Sequence, residues 1–193
     1  MRIAVFYKFL IVFVWSVSSF AFAQKVADFP CKAASTTSSD GRFIIEAPPC
    51  GSDANSWDRR IWLKDQETGE RRLLLEFSRD VRIGWAPKGN YFFLNENASS
   101  SDAEAYVYIP TEDRRLDLIN WIDDAFPRDR RFEHDSHHYV NVIRWNDANT
   151  VVVRRTGHFD LADAGAFTVC YVVGLDVTVK RIDSTYSEGS NCP

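Results

Sequence analysis

Three of the four histidines lie close together in one polar stretch, residues 128–138. His134, His137 and His138, with acidic neighbours in the same stretch, are residues that can bind a transition metal through their imidazole nitrogens. Their spacing differs from that of helical zinc hydrolases, in which two histidines flank a glutamate four residues apart. The stretch is therefore predicted to be an exposed binding loop, and no metal or other cofactor is assigned to it.

Four cysteines are the other residues with distinctive chemistry. An even number favours disulfides in an oxidising compartment, and the chain has no Cys-x-x-Cys pair of the kind that holds zinc. Three pairings are possible. Cys31–Cys50 and Cys170–Cys192 are favoured, because each joins cysteines that are near in sequence and would fix one end of the chain. Each loop of about 20 residues contributes about 3 kcal/mol in the chain-entropy model.

Familiar catalytic motifs are missing from the sequence. It contains no Gly-x-Ser-x-Gly nucleophile turn, no phosphate-binding glycine loop and no dinucleotide-binding fingerprint. The adjacent acids Asp123 and Asp124 are typical of a solvated helix end rather than of the carboxylate pair that cleaves glycosides. The sequence therefore favours a protein without enzymatic activity.

The first 23 residues predict a cleaved signal peptide. Arg2 and Lys8 accompany a short apolar run, and Ala21-Phe-Ala23 has the small-x-small pattern of a cleavage site. A membrane anchor is the alternative, but serines interrupt the apolar run. We therefore expect the mature chain, residues 24–193, to be periplasmic or secreted and to make no membrane contact after cleavage.

The net charge of the predicted mature chain limits the class of partner that it can bind. The full sequence has 23 basic and 27 acidic residues, and two of the basic ones lie in the signal segment, so residues 24–193 carry a formal charge of −6. This balance argues against nucleic acid as a partner, because phosphate binding requires a surplus of lysine and arginine. Doublets such as Arg154-Arg155 do not concentrate positive charge, because neighbours in a strand point to opposite faces.

The elements that must position these residues form an internal repeat. Three times, a turn is followed by an apolar strand, a second strand and a basic pair next to an aliphatic residue. The turn positions Gly41, Gly89 and Asn149 align, and Gly and Asn best tolerate left-handed backbone. Short polar turns join the later strands, which predicts antiparallel hairpins. The repeats cover residues 38–80, 81–122 and 139–183.

One segment interrupts the repeat. Residues 117–126 have apolar side chains at helical spacing, and Pro127 ends the pattern, so one short inserted helix is predicted there. Its apolar face is expected either to pack on the sheet or to dock a partner.

The repeat resembles the TolB-type β-propeller blade. The residues that carry the resemblance are Asp40-Gly41, Ile61-Trp-Leu63 and Glu67-Thr-Gly-Glu70 in the first copy, and Trp85, Pro87 and Gly89 in the second. The resemblance covers about residues 38 to 183 and implies antiparallel blades, without implying an activity. Closed propellers have about four to eight blades. Three copies therefore predict an all-β domain of antiparallel meanders, either a partial propeller or a sandwich.

Together these features favour an exported, non-enzymatic protein-binding module. The negative charge suggests a cationic toxin or enzyme as partner, held by a periplasmic inhibitor or immunity-type protein. The alternatives are binding of a small ligand, glycan or metal through the histidine loop, and an unrecognised hydrolase. Open blade edges also suggest a homodimer. The predicted partner-binding residues are Trp57, Trp121, Phe126, His134, His137 and His138.

Overall fold

A computed structural model describes residues 24–29, 33–49, 59–126, 137–158, 166–185 and 192–193. In these residues the chain forms thirteen strands and one α-helix. The strands are β1 (Val26–Phe29), β2 (Ala34–Thr37), β3 (Phe43–Ala47), β4 (Arg59–Asp65), β5 (Arg71–Phe77), β6 (Asp80–Trp85), β7 (Phe92–Asn97), β8 (Asp102–Ile109), β9 (Arg114–Asp117), β10 (His138–Trp145), β11 (Thr150–His158), β12 (Ala166–Gly174) and β13 (Val179–Thr185), and the helix is α1 (Leu118–Ala125). The predicted all-β fold with one short helix is confirmed.

The strands form three antiparallel meanders. The first meander is β2–β5, the second is β6–β9 with β1 added beside β6, and the third is β10–β13. The second and third meanders are joined by a short parallel pairing, in which His138 and Tyr139 of β10 lie opposite Asp102 and Ala103 of β8. The described strands do not close into a propeller.

Two of the three aligned turn positions have the backbone that the repeat predicts. Gly41 and Gly89 have φ angles of 79° and 81°, which lie in the left-handed region where glycine avoids a Cβ penalty. Asn149 is not left-handed, so the prediction is wrong for the third copy. There, the carboxylate of Asp147 accepts a hydrogen bond from the Asn149 amide at 2.7 Å and holds the turn instead.

The second meander lies between the other two in the core. Phe92 and Leu94 of β7 pack in a cluster with the first meander, whereas Phe93 packs in a cluster with the third meander and α1. Because both faces of β7 are covered, Phe92, Phe93, Leu94 and Asn95 are all buried and the strand loses the usual alternation. This stacking places the hairpin turns and sheet ends around the clefts described below.

The helix is fixed at its start and against the third meander. The Asp117 side chain accepts hydrogen bonds from the amides of Ile119 and Asn120, which caps α1. Leu118 and Ile122 are buried on its inner side. The predicted helix, residues 117–126, therefore agrees with the observed Leu118–Ala125.

One of the two predicted disulfides lies in the described residues. Cys170 of β12 is bonded to Cys192, with Cα atoms 5.7 Å apart, as predicted. This bond attaches the C-terminal end to the third meander and is compatible with an oxidising, exported location. Cys31, Cys50 and the predicted signal segment 1–23 lie outside the described residues. Within the described part of the chain, no helix is long and apolar enough to cross a membrane.

Candidate functional site

Four of the six predicted partner-binding residues lie in the part of the chain that the structure describes. Trp121 and Phe126 pack partly buried against the core, and the Phe126 ring lies 5.7 Å from that of Tyr171. His137 contacts the ring of Tyr139, and the His138 amide donates to the Ser101 carbonyl at 2.7 Å. Trp57 and His134 lie outside the described residues. In the described ranges, no group of three or more His, Cys, Asp or Glu side chains could hold a metal.

The structure brings six hairpin turns to a common end of the fold. Strand direction alternates along each meander, so every second hairpin lies at the same end, and the parallel pairing of β8 with β10 puts these ends of the second and third meanders together. Contacts join turns of neighbouring strands: Ser39 Oγ donates to the Ala86 carbonyl at 2.6 Å, and the Leu175 amide donates to the Asn149 carbonyl at 2.9 Å. We call this surface the hairpin end. It consists of the turns 38–42, 65–70, 86–91, 110–113, 146–149 and 174–178.

The hairpin end carries the negative charge of the protein. Its turns hold eight carboxylates against two cations, a formal charge of −6, which equals the formal charge of residues 24–193. The acids are Asp40, Asp65, Glu67, Glu70, Glu112, Asp113, Asp147 and Asp176, and the cations are Arg42 and Lys88. Arg72 and Arg114, just outside these turns, pair with Asp113 and Glu112, and the hairpin end stays acidic on balance.

Several of these acids accept hydrogen bonds from residues of their own turns. The Asp40 carboxylate accepts hydrogen bonds from Ser38 Oγ at 2.7 Å and from the Arg42 amide at 3.0 Å. Partial burial would raise the pKa of Asp40, but these hydrogen bonds outweigh it and lower the pKa. In Asp176, hydrogen bonds from the Thr178 hydroxyl and amide lower the pKa of the carboxyl. These acids therefore stay ionised and keep the hairpin end negative.

A groove of about 230 Å³ opens in the hairpin end between the turns 65–70 and 110–113. Phe43 and Leu63 lie at its base, and both side chains are buried. Arg42 on one wall is held by Asp65, with 2.9 Å between Nη2 and Oδ2, and by Glu67 at 3.1 Å. Because Arg42 donates hydrogen bonds to its carboxylate, the pKa of Asp65 is lowered.

The second arginine of the groove is also neutralised. Arg72 Nη2 donates to the Pro110 carbonyl at 2.7 Å and lies 3.5 Å from the Asp113 carboxylate. Tyr108 donates its hydroxyl to the same carboxylate, and burial together with this hydrogen bond raises the pKa of Tyr108 to about 12. Glu70, in contrast, is exposed and has no side-chain partner among the described residues. The groove therefore presents one carboxylate that is available to a ligand.

The turn between β12 and β13 presents an exposed apolar side chain next to Asp176. Val177 is 57% exposed and has a φ of 71°. Its amide donates to the Gly174 carbonyl at 3.0 Å, as the Gly41 amide does to Ser38 in the first meander. A β-branched residue at positive φ costs on the order of 1–3 kcal/mol, and such strain is concentrated at functional sites. Val177 is therefore a candidate contact residue.

The sequence prediction missed both Glu70 and Val177. In the sequence, Glu70 is only part of a blade-like turn. Whether it forms an ion pair depends on which residues Arg42 and Arg72 contact in the folded protein. For Val177 a signal exists: Asp176-Val177-Thr178 aligns with Asp40-Gly41-Arg42, so a valine stands where the same turn geometry uses glycine.

The arrangement can bind positive charge and bury a small apolar contact, and within the described residues it holds no cluster of side chains that could bind a metal. Comparison with known proteins found no matching protein-family model and no similar curated protein. Function therefore has to be argued from this site itself.

Proposed function

We propose that this protein is an exported, non-enzymatic binding module that holds a cationic protein against its hairpin end. The observation that carries the proposal is the concentration of the whole formal charge of the mature chain, −6, in six turns on one surface. A cationic toxin or enzyme, neutralised by an inhibitor or immunity-type protein, is the partner class that this surface suits best.

Long-range attraction accounts for the first step of binding. A surface on which like charges are gathered steers a cationic partner and raises its association rate, within a Debye length of about 8 Å at physiological salt. The remaining surface of the mature chain is neutral on balance, so the same field also orients the partner. Association is therefore expected to slow as ionic strength rises.

Short-range contacts supply the specificity. A lysine or arginine of the partner can enter the groove and pair with Glu70, while Arg42 and Arg72 stay occupied by their own carboxylates. Val177 adds an apolar contact that is exposed in the unbound protein. Interfaces typically derive most of their binding energy from a few such residues.

The test begins with capture of a partner by the mature chain, residues 24–193, from the envelope and secreted proteins of its source. Binding of the purified partner is then measured kinetically at low and physiological salt. Glu70→Gln is expected to weaken binding at least fivefold, whereas Asp124→Asn, which removes the same charge from the exposed side of α1, changes affinity less than twofold.

Val177→Gly separates binding from folding in the same assay. Glycine relieves the left-handed strain, so the free energy of unfolding should rise by about 1 kcal/mol. The partner's affinity should nevertheless fall about tenfold, because the apolar contact is lost. A partner that binds Glu70→Gln and Asp124→Asn equally well, or the absence of any salt-sensitive protein partner, would refute the proposal.

A further inference from the structure

A second cleft lies away from the hairpin end, where the second and third meanders meet. Its volume is about 320 Å³, at the lower end of the range of about 300–1,000 Å³ for small-molecule sites. The start of β6 and the end of β7 form one side, and the middle of β10 and β11 forms the other. Asp80 and Arg154 line it from these opposite sides.

One wall of the cleft is built rigidly. The buried Asn95 side chain donates from Nδ2 to the Val142 carbonyl and accepts from the Val142 amide, both at 2.8 Å. It thereby pairs with the edge of β10 as a neighbouring strand would, beside the register shift between Val142 and Arg144. These two bonds fix the orientation of the Asn95 amide, so this side chain shapes the wall of the cleft.

The charges in the cleft are distributed unequally. Arg82 Nε lies 3.1 Å from the Asp28 carboxylate, and this pair is neutral. Arg154 has no ion pair among the described residues, and its Nε is shielded from solvent without a hydrogen-bond partner. Asp80 is exposed at the rim and also has no side-chain partner in the described ranges. Among the described side chains that line the cleft, one cation and one anion are therefore left without an ion pair.

We propose that this cleft binds a small zwitterion of the amino-acid class, with its carboxylate on Arg154 and its ammonium group toward Asp80. A guanidinium group matches the fork geometry of a carboxylate. Asn141, directly opposite Arg154 in the β10–β11 pairing, adds an amide that can donate to the same carboxylate. The proposal does not depend on the proposed protein partner.

The other ligand classes fit the cleft less well. A phosphate or dicarboxylate would place two negative charges near Asp28 and Asp80, and like charges at short range repel. A purely apolar ligand would cover Arg154 without pairing its charge, which is costly in a partly buried position. A zwitterion satisfies both free charges at once.

The experiment uses the mature chain alone. Binding of the twenty proteinogenic amino acids is measured by calorimetry and by the shift in thermal unfolding. The best binder is then compared with its des-amino acid, which lacks the ammonium group, and with its amide, which lacks the carboxylate. The parent amino acid is expected to bind at least tenfold more tightly than either analogue.

Two variants assign the contacts. Arg154→Gln should abolish binding of the amino acid and of its des-amino analogue, whereas Asp80→Asn should reduce the amino acid's affinity to that of the des-amino analogue. Arg114→Gln removes an exposed arginine at the hairpin end and serves as the matched control, with unchanged binding expected. Thermal unfolding of each variant checks that it folds.

Three results would overturn the proposal: no binding of any amino acid, equal binding of the amino acid and its des-amino analogue, or full binding by Arg154→Gln. All of these are measured without a protein partner. The hairpin-end proposal can therefore fail or succeed separately.

Discussion

The groove of the hairpin end and the cleft of Arg154 differ in which charge they leave free. In the groove, Arg42 and Arg72 are both matched by carboxylates, and the acid Glu70 is left over. In the cleft, Arg82 is matched by Asp28, while the cation Arg154 and the anion Asp80 are both left without an ion pair among the described residues. Each opening mixes both signs in its lining, so composition alone would not distinguish them.

The difference shows that the chemistry of an opening depends on its internal pairing. A charge that is held by its own neighbours contributes to stability and little to recognition, whereas an unmatched charge costs stability and is available to a ligand. The groove is therefore suited to a cation, and the cleft to a ligand that carries both a carboxylate and an ammonium group.

Asn95→Leu should be the most destabilising change in either opening. It leaves the buried amide and carbonyl of Val142 without partners, and we expect a loss of about 2–4 kcal/mol in the free energy of unfolding. Urea denaturation measures this change in the free energy of unfolding. Asn97→Leu, on the same strand but exposed, is the control and should change stability by less than about 0.5 kcal/mol. A loss below 1 kcal/mol for Asn95→Leu would mean that the cleft wall is not built by this side chain.

Substitution by methionine should change the free energy of unfolding differently at Arg42 and at Arg154. Arg42→Met removes a cation that is paired with Asp65 and should lower the free energy of unfolding. Arg154→Met keeps the apolar stem but removes an unmatched charge, so stability should stay within about 0.5 kcal/mol of the parent or increase. Urea denaturation of both variants under the same conditions measures their free energies of unfolding. Equal losses of stability would contradict the contrast between the paired and the unpaired arginine.

A smaller effect is expected in the acid sensitivity of the groove. The folded state holds the pKa of Asp65 below its usual value of about 3.9, because Arg42 donates hydrogen bonds to the carboxylate. The resulting stabilisation is complete above the unfolded pKa and is lost as the pH falls through the lower folded pKa. Asp65→Asn should therefore be less stable than the parent at pH 6, and the difference should shrink toward pH 2.5. Thermal unfolding across this range measures it, and a constant difference would refute the coupling.

Sequence reasoning succeeded where the signal is local. The helix at 117–126 was predicted from apolar spacing and a following proline, and both the spacing and the Asp117 cap act within a few residues. The pairing of Cys170 with Cys192 followed from proximity along the chain and is present. Gly41 and Gly89 are left-handed, as their turn sequences require. In each case, the determining contacts lie within one turn or one short loop.

Prediction failed where the contacts of a turn override the preference of a residue type. Asn149 suits a left-handed turn, but Asp147 holds its turn by a different set of hydrogen bonds. Val177 adopts the left-handed backbone that its residue type disfavours, because the hairpin between β12 and β13 imposes it. The resemblance to propeller blades stays a prediction, and the partner-binding roles of Trp121, Phe126, His137 and His138 likewise await a partner.

The neighbouring residues Arg154 and Arg155 show most clearly what the sequence determines and what only folding decides. The sequence determined that they point to opposite faces, because side chains alternate along a strand with a period of two. Only the tertiary structure decided that buried Arg155 meets Asp123 of α1 at 2.6 Å while Arg154 faces a cleft without an acid partner. Turn chemistry, alternation and total charge are short-range or additive properties of the sequence. Which charges are neutralised depends on residues that only folding brings together.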